Sequence, residues 1–206
     1  EWTQPLRSDV FGFMPTAETE ARVIGKYITE KHTGKEFIIW YPENSVYQRA
    51  VKALTKELYS VSAKLLPGKA GRLSAEWQLI RRNNPDFLVV LGNYTDVMNF
   101  LKFSPQINIP MLTGHALADS RLPEWLGQKV SERVRVLTAY PLKIETEHPG
   151  QILNKLILSE YAPNLALNRW TLYGHAVAEL MVEVLNRTGR SLSRQKAVSA
   201  AESITK

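Results

Sequence analysis

Four short apolar runs, each halted by a polar or aromatic residue, constrain this chain more than any other feature. They are Ile38-Ile39-Trp40-Tyr41, Leu88-Val89-Val90-Leu91 before Gly92-Asn93-Tyr94, Met111-Leu112 before Thr113-Gly114-His115, and Val134-Arg135-Val136-Leu137 before Thr138-Ala139-Tyr140. Continuous apolar runs of this length read as buried strands. In an open parallel α/β sheet, ligands bind in the crevice beyond the carboxyl ends of the strands, so whatever follows each run faces a common cleft. Here the followers are aromatic rings, hydroxyls and one imidazole.

Between the runs the spacing turns helical. Residues 17–31 place Ala21, Ile24, Gly25 and Ile28 on one face, with Glu18 and Glu20 in the first turn and Gly34 ending the helix. Residues 46–59 repeat the pattern through Val46, Ala50, Val51, Leu54 and Leu58, with Tyr47 in the opening turn. Further helices are predicted over 73–82, 94–103 and 122–127, and strands over 11–14, 37–41, 60–66, 87–91, 109–113 and 134–138. Pro67-Gly68 closes the 60–66 strand in this reading. Strand–helix alternation over such a length means βα units. The expected fold is α/β, an open, mostly parallel sheet flanked by helices. From Gly150 onward the character changes to three helical stretches, 150–161, 170–187 and 193–203, with no strand between them.

Composition removes several function classes. The net charge of +6 comes from 26 Lys and Arg scattered along the chain, not clustered, which argues against nucleic acid as a partner. There is no cysteine, so thiol catalysis, Cys-ligated zinc and disulfides are excluded. The four histidines, His32, His115, His148 and His175, show no pair at ligand spacing, and no metal is expected. Gly34-Lys35 lacks the remainder of a phosphate loop, no strand leads into a Gly-x-Gly-x-x-Gly turn, and no Gly-x-Ser-x-Gly elbow exists. The reading is therefore of a protein that is not an enzyme and carries no cofactor.

Tyr47 and Tyr94 each open a helix that directly follows a strand, where unpaired backbone N–H groups can bind an anion. Trp40 and Tyr140 end strands and either pack the core or form a stacking platform for a ring-bearing ligand. The polar, unpatterned stretch 1–9 before Val10-Phe11-Gly12-Phe13-Met14 is what part of a longer protein would show.

The order of these parts, with Gly25-Lys26-Tyr27-Ile28, Tyr47, Asn84-Pro85-Asp86-Phe87, Gly92-Asn93-Tyr94 and Tyr173-Gly174-His175-Ala176, resembles the second lobe of a type I periplasmic binding protein of the leucine/isoleucine/valine-binding branch. The resemblance implies a Rossmann-like lobe, one of two that close over a small solute and deliver it to an ABC transporter permease, outside the cytoplasm. It implies a hinge or lead-in segment over 1–15, a ligand-binding lobe over 16–165, and C-terminal helices over 166–206 that belong in part to the hinge or to a first lobe missing from the chain. An exposed hinge side would promote dimerisation. The same fold as the extracellular sensor of a receptor is the alternative.

Residue by residue, Tyr47 matches the tyrosine of the family's Asp-x-x-Tyr-Gly segment, with Gln48 in place of the glycine, and Tyr94 matches that of Gly-Gly-Tyr, with Asn93 beside it. His115 falls at or next to the position where amino-acid binders keep a glutamate for the ligand ammonium. Losing that charge-assisted partner disfavours a standard α-amino acid. An imidazole, with Arg121 nearby, suits an organic acid, aromatic in view of Trp40 and Tyr140. The expected ligand-binding residues are thus Trp40, Tyr47, Asn93, Tyr94, His115 and Tyr140.

Overall fold

The computed structural model describes residues 12, 14–69, 71–103, 108–119, 121–139 and 148–204. Most of the expected 11–14 strand, and Tyr140, lie outside the described residues. By its contacts the chain divides into two units, Pro15–Leu142 and Glu1–Met14 with Lys143–Lys206.

The larger unit runs α1 (Ala17–Lys31), β1 (Glu36–Pro42), α2 (Ser45–Thr55), β2 (Ser62–Gly68), α3 (Leu73–Asn83), β3 (Phe87–Val90), α4 (Tyr94–Lys102) and β4 (Met111–Thr113). A 3₁₀ turn (His115–Leu117), α5 (Leu122–Leu126), α6 (Gln128–Ser131) and β5 (Val134–Val136) complete it. The strands form one parallel sheet in the order β2-β1-β3-β4-β5.

The runs of the three central strands β1, β3 and β4 are apolar because both faces are covered. In β1, Ile38 and Trp40 join Trp77 and Ile80 of α3 and Val97 and Phe100 of α4. Phe37 and Ile39 point the other way, into Ala21, Ile24 and Ile28 of α1 and Ala50, Val51 and Leu54 of α2. Strand β3 divides in the same manner, with Leu88 and Val90 in the first layer and Val89 in the second. Each of the Val, Leu, Ile and Phe side chains contributes on the order of 1.5–3 kcal/mol through burial. Helices α1 and α2 pack so closely that a Cβ on Gly25 would lie 2.8 Å from the Leu54 carbonyl oxygen.

Several boundaries differ from the sequence expectation. Strand β2 continues through Pro67 and Gly68, paired with Tyr41 and Pro42; it is an edge strand, so the missing proline N–H costs no ladder bond. Helix α2 ends at Thr55, not 59, because tightened bonds from Glu57 N–H to Leu54 O and Leu58 N–H to Thr55 O stop it. The Thr29 hydroxyl then donates to the Glu57 carbonyl at 2.7 Å and ties the turn to α1. Helix α6 and the 3₁₀ turn were too short to leave a periodic signal.

The second unit contains α7 (Pro149–Tyr161), α8 (Arg169–Thr188) and α9 (Arg194–Ile204). Asn168 caps α8 by accepting the Trp170 and Thr171 N–H groups. Within this unit α7 packs on α8, and Asn154 Nδ2 donates to the Thr171 carbonyl at 3.2 Å. Leu153, Leu156 and Ile157 on α7, and Met181, Val182 and Leu185 on α8, are exposed. Among the described residues no helix is long and apolar enough to cross a membrane.

Candidate functional site

The strand order makes the chain leave β1 and β3 toward opposite faces, α2 joining the α1 layer and α4 joining the α3 layer. Between the carboxyl ends of these two strands lies the switch point at which doubly wound sheets bind ligands. Tyr47 flanks it on one side and Asn93 and Tyr94 on the other.

Tyr47 is half-buried against the α1–α2 core. Its phenol is pushed up to about 12, by burial first and then by the Asp96 and Glu20 carboxylates. It therefore stays a protonated hydrogen-bond donor at neutral pH. The helix openings are less available than the sequence suggested. Asn44 Oδ1 accepts the Tyr47 N–H at 3.1 Å, and Asn93 Oδ1 accepts the Asp96 N–H at 2.9 Å while Asp96 accepts the Asn93 N–H in return. Asn93 is thus the N-cap of α4, its side-chain oxygen engaged in a capping box.

His115 follows β4 directly. Its backbone N–H donates to Glu20 Oε1 at 3.0 Å, and its ring Nδ1 meets the same oxygen. Glu20 Oε2 packs over Gly114, where a Cβ would come within 2.7 Å of it. Glu20 is one residue that the sequence reading missed. As a first-turn acid of α1 it carried only a helix-dipole meaning, and its partner is 95 positions away.

Tyr94 is 40 % exposed and stands edge-on to Trp125 of α5, with ring centroids 5.6 Å apart. The Arg121 guanidinium lies 4.7 Å from the Trp125 ring centre and forks onto Asp119, with Nε–Oδ1 and Nη2–Oδ2 both at 3.1 Å. The Asp119 bonds hold the guanidinium above its already high range. Trp125 was not among the expected site residues.

Trp40 belongs elsewhere. It is 4 % exposed, stacks on Phe100 at 4.5 Å and donates its indole N–H to Glu76 Oε2 at 2.7 Å. A Cβ on Gly68 would fall 2.5 Å from the indole, so the end of β2 closes over it. The correction follows from strand parity: Ile38 and Trp40 share the face toward α3 and α4, so the indole packs the core and is no platform. Among the described residues, no group of three or more His, Asp or Glu could hold a metal ion.

A doubly wound α/β lobe with tyrosines and an imidazole along its switch-point edge is the class these observations define. The family model for periplasmic binding proteins matches residues 3–205, and the chain belongs to that family. Among curated proteins no relative matches by sequence. Solved structures share the fold. An extracellular ligand-binding receptor from Verminephrobacter eiseniae gives a TM-score of 0.80 at 13% identity, over 96% of this chain and 58% of that one. A substrate-binding periplasmic protein from Ralstonia solanacearum gives 0.75 at 13%, over 97% and 58%. A solute-binding protein of an ABC transporter from R. palustris, in complex with benzoate, gives 0.67 at 14%, over 90% and 52%. The chain spans little more than half the length of these proteins.

Proposed function

We propose that the chain is the second lobe of an extracytoplasmic solute-binding protein serving an ABC importer, without chemistry of its own, and that its carboxyl edge is one wall of a cleft for a small organic acid. The observation that carries the reading is the grouping of Tyr94, Trp125 and Arg121 beside the switch point that Tyr47 flanks, with His115 at the end of the next strand. Tyr94 and Trp125 supply the aromatic surface that Trp40 does not. A fold relative in complex with benzoate is in keeping with such a ligand. Family membership supports the extracytoplasmic location and a permease as partner.

One observation favours a second ligand class. Glu20 returns a carboxylate to the neighbourhood of position 115, and only its Oε1 has partners among the described residues. Its other oxygen suits the ammonium of an amino-acid-like solute. The exposed apolar stripes of α7 and α8 are, in this proposal, the surface that first-lobe and hinge segments cover, and in the isolated 206-residue chain they promote dimerisation.

The test is mass spectrometry of solute co-purified with the complete protein, followed by calorimetric titration of benzoate, phenylacetate and leucine. An aromatic or aliphatic acid bound at micromolar level supports the leading reading. Leucine binding with no response to the acids overturns it in favour of the second, and the absence of any bound or titratable solute overturns both.

A further inference from the structure

The site raises the question of which group reads the ligand's charge, and Arg121 is set apart by how it is held. Two of its guanidinium nitrogens, Nε and Nη2, fork onto Asp119, whose side chain is only 1% exposed, and the Arg121 backbone N–H donates to Asp119 Oδ1 at 2.9 Å. One face of the guanidinium lies on Trp125. A surface arginine ordinarily gives up about 2 kcal/mol of rotamer entropy when a ligand orders it. Here that ordering is already done within the lobe.

What remains is an open edge. Nη1 has no partner among the described residues, and the side chain is 54% exposed. The charged neighbours facing it are Asp119, which is committed to the fork, and Glu124 one turn of α5 away; the Tyr94 phenol completes the surroundings. A planar fork with a free edge, beside an exposed ring, matches a planar carboxylate joined to a flat apolar body. The position is also apt: Arg121 stands between the 3₁₀ turn that begins with His115 and α5, whose Trp125 meets Tyr94.

We infer that Arg121, locked by Asp119 and Trp125, is the anion-recognising residue of this lobe, and that it takes a planar aromatic carboxylate whose ring lies against Tyr94. The inference rests on the solute-binding reading above and names the charge and shape of the solute. Asp119 is a positioning residue, since it sets the fork without reaching the ligand.

The experiment uses the complete protein with benzoate and its neutral isostere benzamide as probes, titrated against wild type, Arg121→Gln, Arg121→Lys and the double variant Asp119→Asn/Arg121→Gln. The double variant removes the danger that Arg121→Gln leaves a buried carboxylate unpaired and fails to fold. Wild type is expected to prefer benzoate over benzamide by roughly 10- to 100-fold, the range of a charge-assisted hydrogen bond. Arg121→Gln and the double variant are expected to abolish the preference, and Arg121→Lys to restore only part of it because an ammonium lacks the fork. Preference for benzoate that survives in both Gln-bearing variants overturns the role of Arg121. Wild-type protein that ignores benzoate but carries another solute overturns the ligand class and leaves solute binding standing. Protein that binds no solute at all overturns both.

Discussion

Two histidines at opposite edges of one sheet show how differently its ends are built. His32, which caps α1 ahead of β1, is wrapped in rings: Phe87 at 4.4 Å, Tyr27 at 5.4 Å and Phe37 at 6.3 Å between centroids. Its Nε2 is buried without a hydrogen-bond partner among the described residues. Burial first, then Arg135 and Lys35, hold its pKa below the usual 6.5, which keeps it neutral. His115, just past β4, instead meets the Glu20 carboxylate and lies on the edge that also carries Tyr47 and Tyr94. At the amino edge the imidazole is packed among rings, while Lys35 pairs with Asp86 and Asp86 accepts the Glu36 N–H. At the carboxyl edge the imidazole meets a carboxylate beside two tyrosines, and that contrast in what surrounds the two histidines is why function is assigned to one end only.

The sharpest way to break the comparison is to move a residue across it. Trp40 packs the core beneath the carboxyl edge, so Trp40→Ala is expected to cost about 3–5 kcal/mol in denaturant unfolding, whereas exposed Tyr94→Ala costs under about 1 kcal/mol. Solute titration should reverse the ranking, with Tyr94→Ala the more damaging among folded variants. A Trp40→Ala protein of wild-type stability that no longer binds solute would return Trp40 to the site.

Next in size is Glu20→Ala. It removes the acceptor of the His115 N–H and the contact of the ring, and about 1–2 kcal/mol of stability should go with it. The His115 ring resonances should move in NMR spectra while those of His32 stay in place. Unmoved His115 signals would mean that Glu20 does not set the ring.

A smaller effect separates the histidines by pH. Because the folded pKa of His32 is depressed, the unfolded chain takes up its proton first as pH falls. Stability is therefore fully present above 6.5 and is lost as pH falls from 6.5 through the lower folded value. His32→Phe should flatten that part of the stability–pH curve, and an unchanged slope would refute the assignment. The smallest effect is spectroscopic: one tyrosine, absent in Tyr47→Phe, should ionise near 12 in ultraviolet titration, and Asp96→Asn should bring it down.

Much of the sheet could be read from the sequence because burial on both faces leaves an unmistakable apolar run, as at Phe37–Tyr41 and Phe87–Leu91. Helix α1 appears at the expected bounds, Ala17–Lys31, with Thr16 accepting the Thr19 N–H at its start. Edges and ends were harder. Pro67-Gly68 looks like a stop, yet an edge strand tolerates it. In the candidate site, the edge positions of Tyr47, Tyr94 and His115 were legible because chain position after a strand fixes which edge a residue occupies. Glu20, Asp119 and Trp125 were not, because each acquires its meaning from a contact between elements. Trp40 was legible in principle, since the parity it shares with Ile38 sends it to the α3–α4 face.

The central claim is that the solute meets the carboxyl edge and leaves the amino edge untouched. Histidine- and tyrosine-labelled complete protein, titrated with its co-purified solute and followed by NMR, tests this most directly. The account predicts shifts for His115, Tyr47 and Tyr94 with His32 and Tyr27 unmoved. Shifts confined to His32 and Tyr27, or to none of these residues while the solute binds, would contradict it.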